Sequence, residues 1–286
     1  MLIVGCGDVG LRLLPSVVGR WRVLVLTSSP SRVPALRTAG VQPLVGDLDH
    51  PATLGRLGGL ADAVLHLAPP PASGEHDTRS RHLSRALRRG GRVTRLVYLS
   101  TTGVYGDAAG EWVDETRAVA PATARARRRV DAEACWRWFG RATGAAVTIL
   151  RAPGIYALDR EGGDPRQRVR RGAPVLVRED DVYTNHIHAD DLARACVAAL
   201  YRGRPQRVLN TSDDTQLLMG DYFDTVADRF GLPRAPRLTR AEAQAALSPM
   251  TLSFMRESRR LRNDRLLREL GLRLRYPTLE AGLSTP

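Results

Sequence analysis

Leu2-Ile3-Val4-Gly5-Cys6-Gly7-Asp8-Val9-Gly10 opens the chain, and its reading decides the fold. Three apolar residues predict a short buried strand. Gly5-x-Gly7-x-x-Gly10 then leads into the helical pattern Leu11, Leu14, Val18. Strand, glycine turn and helix in that order form the unit that holds a dinucleotide. Gly5 permits the tight turn, Gly7 lets the backbone approach a pyrophosphate, and Gly10 lets the helix pack closely on the strand. Asp8 and Val9 fall at the helix N-terminus, where unpaired N–H groups and the positive dipole end favour phosphate. Met1 stands almost inside a strand shorter than the usual length of about five residues. A clipped first strand and a start further upstream both fit that. Pro15 falls within the first helix and is expected to kink it.

The pattern repeats downstream. Arg22–Leu26, Val41–Val45, Ala63–Ala68 and Arg95–Ser100 read as strands, with helices after the first and over 75–89. Such alternation predicts an α/β fold: a Rossmann-type doubly wound parallel sheet with ligands at the carboxyl ends of its strands. The second strand runs into Thr27-Ser28-Ser29 and Arg32, without the acidic residue that would accept from the ribose 2′-hydroxyl of NAD. Ser28 and Arg32 suit a 2′-phosphate, so NADP is favoured over NAD; Arg32 facing water at a helix start is the competing reading. Asp47, beside Leu48, is placed to accept from an adenine amino group. His66, inside an apolar run, is read as a packed core residue.

The 286 residues are enough for one large domain or a domain with a smaller lobe. No apolar run is long enough for a membrane span, and no secretion signal is read at the N-terminus. Cys6, Cys135 and Cys196 are odd in number and widely spaced, which points to reduced thiols in a cytoplasm rather than a disulfide frame or a zinc site. The net charge of +13 invites a nucleic-acid reading. However, every one of the 43 basic residues is arginine, they are scattered, and aromatic residues make up only 5%. A solvated arginine-rich surface explains this better than a nucleic-acid face.

Beyond the fifth strand the chain reads Thr101-Thr102-Gly103-Val104-Tyr105-Gly106, followed by Leu150-Arg151-Ala152-Pro153-Gly154-Ile155-Tyr156. Asn185-His186-Ile187-His188-Ala189-Asp190-Asp191 and Leu209-Asn210-Thr211-Ser212-Asp213-Asp214 come next. With the glycine turn, Gly46-Asp47 and Leu67-Ala68, these segments resemble the extended short-chain dehydrogenase/reductases, the NAD-dependent epimerase/dehydratase group, in order and over most of the chain. The resemblance implies a dinucleotide-binding domain over 1–150, to which 182–212 returns, and a substrate lobe formed mainly by 151–286. It also implies that Leu67, Ala68, Pro69 and Pro153 border the cofactor, and that Thr101 orients a substrate oxygen.

The family's Tyr-x-x-x-Lys departs from the pattern. Counting back from Glu133, the position of the family's glutamate, puts Arg125 at the tyrosine and Arg129 at the lysine. The chain has no lysine at all. Arginine is charged at every accessible pH, so Arg125 cannot shuttle a proton; Arg129 is expected to clamp the ribose. Tyr105 is then a candidate acid, with Tyr156 and Tyr183 bordering the substrate; wall residue is the competing reading for each. Arg125 and Arg129 are expected inward and Arg127 and Arg128 outward, on a helix packing Val130, Ala134 and Trp138 into the core. Arg151, Arg178 and Arg204 are weighed as contacts for an acidic substrate or as ordinary surface residues. His186 and His188 should point the same way, with no third ligand for a metal, and Asp190-Asp191 should cap the following helix. The expected partners are a small-molecule substrate, an anionic one included, and a second copy in a homodimer. Two functions stand open: an NAD(P)-dependent oxidoreductase or epimerase with a non-standard acid, and a non-catalytic NAD(P)-binding redox sensor.

Overall fold

A computed structural model describes residues 1–284. The chain runs β1 (Leu2–Val4), α1 (Asp8–Val17), β2 (Leu24–Thr27), α2 (Val33–Thr38), β3 (Gln42–Val45), β4 (Ala63–His66), α3 (Thr78–Arg88) and β5 (Arg95–Thr101). The short β6 (Trp112–Val113) precedes α4 (Ala124–Thr143) and β7 (Ala146–Ala152). Then come β8 (Gly154–Tyr156), α5 (Pro165–Arg170), β9 (Val175–Leu176), β10 (Tyr183–Thr184), β11 (His186–His188), α6 (Ala189–Arg202) and β12 (Arg207–Asn210). The remainder is β13 (Leu217–Leu218), α7 (Met219–Arg229), β14 (Arg237–Leu238), α8 (Arg240–Ala246), α9 (Pro249–Phe254), β15 (Arg260–Leu261), α10 (Asp264–Glu269) and α11 (Leu279–Leu283).

Seven strands make one parallel sheet in the order β12-β7-β5-β4-β1-β2-β3. The strand order reverses between β1 and β4, and in such sheets that switch opens the ligand crevice. β1 is only three residues long but is paired on both edges, Leu2 facing Leu24 on one side and Val64 on the other. Strand alternation sorts its side chains. Ile3 joins Val25, Leu65 and Val97 under α1 and α6, while Leu2 and Val4 join Leu24, Leu26 and Leu96 under α3 and α4. Burying each contributes roughly 1.5–3 kcal/mol, so three residues suffice for a central strand. α1 continues past Pro15 for two further residues to Val17.

β8, α5, β9, α7 to α9 and α11 build a second core around Tyr156, Val175, Leu176, Tyr222, Val226 and Met255. α6 and β12 belong to the sheet, and Leu266, Leu270, Leu272 and Leu274 fill its first core layer.

Two helices correct the expectations. α4 buries Ala132, Trp136 and Phe139, whereas Ala134 is exposed and Trp138 is 45% exposed under the Arg88 guanidinium. The expected stripe was two residues out of phase, and at roughly 100° per residue that is nearly the opposite face. Trp136 anchors the true face: its ring packs edge-on against Phe139 and its indole N–H reaches Ser80. α6 is capped by the His188 ring, which accepts from the Asp190 N–H at 3.2 Å, and not by the aspartates. Those lie in the first turn, where Asp190 pairs with Arg12 and Asp191 accepts from the N–H groups of Arg275 and Tyr276.

Candidate functional site

The glycine turn stands where β1 meets α1, and each glycine has a separate reason. Gly5 has φ +84°, and a Cβ there would lie 2.5 Å from the Ala68 backbone nitrogen. At Gly10 a Cβ would press on Cys6 Sγ at 3.1 Å and on the Gly5 carbonyl at 3.4 Å, so the turn packs tightly against the first turn of α1 there. At Gly7 a Cβ would meet nothing within 4 Å. The face at the start of α1, where unpaired N–H groups favour an anion, is therefore open.

Beside the turn lies a pocket of about 200 Å³ lined by Gly5, Cys6, Thr27, Ser28, Ser29, Arg32, Asp47, Leu48, Ala68, Pro69 and Arg79, among others. It gathers most of the residues expected to border an adenosine. The Arg32 guanidinium reaches across it and donates to the Cys6 carbonyl at 2.6 Å. Arg79 escaped sequence reading because nothing in an arginine-rich helix marks one arginine out. It grips Asp49 through both carboxylate oxygens at 2.8 and 2.6 Å and donates to the Pro69 carbonyl. Burial pushes the Cys6 thiol up to about 11, outweighing Arg32, so it stays protonated. Leu67 is not among the residues lining this pocket and packs against the first core. Asp8 turns its carboxylate to Arg12 and Arg160 at 3.0 and 2.9 Å.

A larger cleft of about 320 Å³ opens between the carboxyl end of β5 and the second lobe. Thr101, Arg125 and Pro153 line it, as does Tyr183. So do Arg168, His186, Phe223, Phe254, Glu257 and Arg259, which include groups sequence reading assigned to nothing. Thr101 Oγ1 accepts from the Gly103 N–H at 3.3 Å, leaving its hydroxyl proton to donate. His186 stacks on Tyr222 with centroids 3.9 Å apart, and burial lowers its pKa to about 3, so the ring is neutral. Its neighbour His188 faces the same way, both rings meeting Tyr156 edge-on. Among the described residues no cluster of three His, Cys, Asp or Glu could hold a metal.

Several candidates lie outside the cleft. Tyr105 is 1% exposed and donates its hydroxyl to Asn210 at 2.7 Å; burial raises its pKa. Tyr156 is 3% exposed and donates to the Thr278 carbonyl. Neither phenol meets the space in which a substrate would sit, because Tyr105 points into a small apolar cluster with Val104, Val113 and Leu261, and Tyr156 into the lobe core. Arg129 is half-buried and donates to the Leu99 carbonyl at 2.7 Å and to the Tyr98 hydroxyl. Arg128, expected outward, is buried and ties α4 to the carbonyls of Gly74 and Ala72; Arg127 is outward, paired with Glu75.

Arg151 is no surface residue. It is 2% exposed, and its Nε and Nη2 bind the two oxygens of Glu133 at 3.0 and 2.6 Å. Ser100 adds a third bond to Glu133 at 2.7 Å. One carboxylate thus joins α4, β5 and β7 directly behind Thr101. Arg178 pairs with Asp221 and Arg204 lies 3.9 Å from Glu269, both on the surface.

Comparison with known proteins agrees with this fold. A sequence profile of the NAD dependent epimerase/dehydratase family matches residues 1–211. The protein YeeZ of Escherichia coli strain K12 is 27% identical over 244 residues, covering 80% of this chain and 83% of YeeZ. A functionally unknown conserved protein from Silicibacter pomeroyi superposes with a TM-score of 0.82 at 30% identity, covering 99% of this chain and 95% of that one. The UDP-glucose 4-epimerase of Thermotoga maritima, solved with UDP-glucose, has a TM-score of 0.79 at 20% identity over 99% of this chain and 95% of its own; it shares the fold. Among the described residues no helix is long and apolar enough to cross a membrane.

Proposed function

The chain belongs to the NAD dependent epimerase/dehydratase family, and from that premise we propose that it is an oxidoreductase or epimerase using NADP in preference to NAD. The observation that supports it is the pocket at the β2 end. Ser28, Ser29 and Arg32 border that pocket where an NAD site would present a carboxylate, next to a glycine turn open only at Gly7. The cofactor supplies hydride acceptance or donation when bound. Gly7 and the α1 N-terminus would hold its pyrophosphate, Arg32 its 2′-phosphate, and Asp47 its adenine.

Thr101 then orients a substrate oxygen, and the arginine at Arg125 holds negative charge there without moving a proton. Proton transfer falls to a group within the cleft. Tyr183 and Glu257 are the lining side chains with suitable chemistry, in place of Tyr105; His186, kept neutral by burial, is not. A second reading, a non-catalytic NADP-binding sensor, is favoured by the arginines standing in place of the tyrosine–lysine pair.

Titration with the reduced cofactors, followed by fluorescence, tests the first reading. Arg32→Ala should weaken NADPH about tenfold or more and leave NADH nearly unchanged; equal effects refute the NADP assignment. Turnover over a panel of carbonyl compounds, alcohols and sugar nucleotides, lost in Thr101→Ala, supports the enzyme. Tight NADPH binding without turnover on any of them supports the sensor.

A further inference from the structure

The charges lining the cleft do not balance. Arg259 is neutralised by Glu257 at 2.9 Å. Arg125 and Arg168 have no carboxylate partner among the described residues. Arg125 lies over the Phe254 ring at 4.7 Å. Arg168 lies over the Phe223 ring at 4.7 Å, and its one hydrogen bond among the described residues runs from Nη2 to the Pro174 carbonyl at 3.1 Å. Its Nε is buried with no acceptor. His186, the remaining basic group, is neutral. Two cations therefore border a common space, half-buried Arg168 from α5 and exposed Arg125 from α4, each lying over an aromatic ring.

A half-buried guanidinium without a counter-charge is unfavourable, and burial together with neighbouring Arg171 lowers the Arg168 pKa accordingly. A bound oxyanion would relieve this, because guanidinium donors match carboxylate or phosphate oxygens in geometry as well as charge. The cleft also contains Thr101, so the anionic group and the reacting oxygen would occupy one space of about 320 Å³. That lies at the small end of the roughly 300–1,000 Å³ typical of ligand clefts.

Resting on the reading of this cleft as the substrate site, we propose that the substrate is a compact oxyanion, a small hydroxy- or keto-compound bearing a carboxylate or phosphate, held between Arg168 and Arg125 beside Thr101.

The test is calorimetry on the full-length protein, with and without NADPH, using inorganic phosphate, malonate, glycerol and UDP-glucose as probes. Phosphate or malonate should bind and glycerol should not; whichever anion binds tighter identifies the charged group. Arg168→Met keeps the stacking on Phe223 and should weaken the anion about ten- to a hundredfold. Arg178→Met, a surface arginine paired with Asp221, should have no effect. Should Arg168→Met fail to fold, Arg125→Met at the exposed end of α4 carries the same expectation. Anion affinity unchanged in the folded variant overturns the proposal, as does no anion binding in the wild type. UDP-glucose binding more tightly than either anion and indifferent to Arg168→Met also overturns it. Loss of NADPH binding in the wild type would instead refute the cofactor reading, and the two failures are read in separate titrations.

Discussion

Alanine at Gly5 and at Gly7 should have opposite consequences although the two glycines are two residues apart. At Gly5 the backbone sits at φ +84°, and the added Cβ would lie 2.5, 2.6 and 2.8 Å from the N, Cα and Cβ of Ala68. A left-handed conformation costs an L-residue about 1–2 kcal/mol, and overpacking against backbone adds about 1–3. The sum is roughly 2–5 kcal/mol, a fall in Tm of about 3–8 °C for a chain of this size. At Gly7 the Cβ meets no protein atom within 4 Å, so Gly7→Ala should stay within about 0.5 kcal/mol of wild-type stability. The methyl would instead occupy the face a pyrophosphate must approach, and NADPH affinity should fall about tenfold or more, equivalent to about 1.4 kcal/mol. Differential scanning calorimetry and NADPH fluorescence titration on both variants separate the effects. Wild-type affinity in Gly7→Ala would refute the placement of the pyrophosphate; a wild-type melt for Gly5→Ala would refute the packing argument.

Glu133→Gln should cost about 3–5 kcal/mol, because it leaves the Arg151 cation buried without its charge partner; urea unfolding measures this, and a loss below about 1 kcal/mol would contradict it. His66 is fully buried between the rings of Tyr98 and Trp136, and burial lowers its pKa to about 3. The unfolded chain, titrating near 6.5, takes up that proton first. The stability His66 contributes is therefore complete above about pH 6.5 and lost as pH falls toward 3, about 2 kcal/mol of it by pH 5. His66→Gln should flatten the stability profile over that window, and an unchanged slope between pH 6.5 and 5 would count against it.

The cofactor half of the molecule was legible because its requirements are local. A glycine turn between strand and helix has few structural solutions, and the residues ending β2, β3 and β4 follow once the parallel order is read. The cleft was less legible because its walls come from segments far apart in sequence. Arg168 lies in the arginine-rich run Pro165–Arg171, where one inward guanidinium looks like its outward neighbours. Tyr105, in the turn after β5, and Tyr156, on β8, lie close in sequence to the carboxyl ends of β5 and β7, but sequence alone does not show which way each points, and both turned into cores. Arg151 was misjudged for a related reason: its partner Glu133 is on another element, and only the fold shows that the two meet. On α4, a run with apolar residues on two faces left the phase open until Trp136 decided it.

Asp8 places a carboxylate in the first turn of the helix that should receive a diphosphate, a position where two anions would repel. Arg12 and Arg160 take that carboxylate from two sides, and Arg12 also grips Asp159 and Asp190. Against the cost of burial, these carboxylates hold the Arg12 pKa above its ordinary value, so Arg12 stays charged at every accessible pH. Asp159 and Arg160 follow β8, whereas Arg12 and Asp8 are on α1 and Asp190 begins α6. The groups that keep the helix mouth electrically open are thus the ones that fasten the β8 loop and α6 to the glycine turn. A disturbance of that loop would be felt at the diphosphate as repulsion before any contact there had moved.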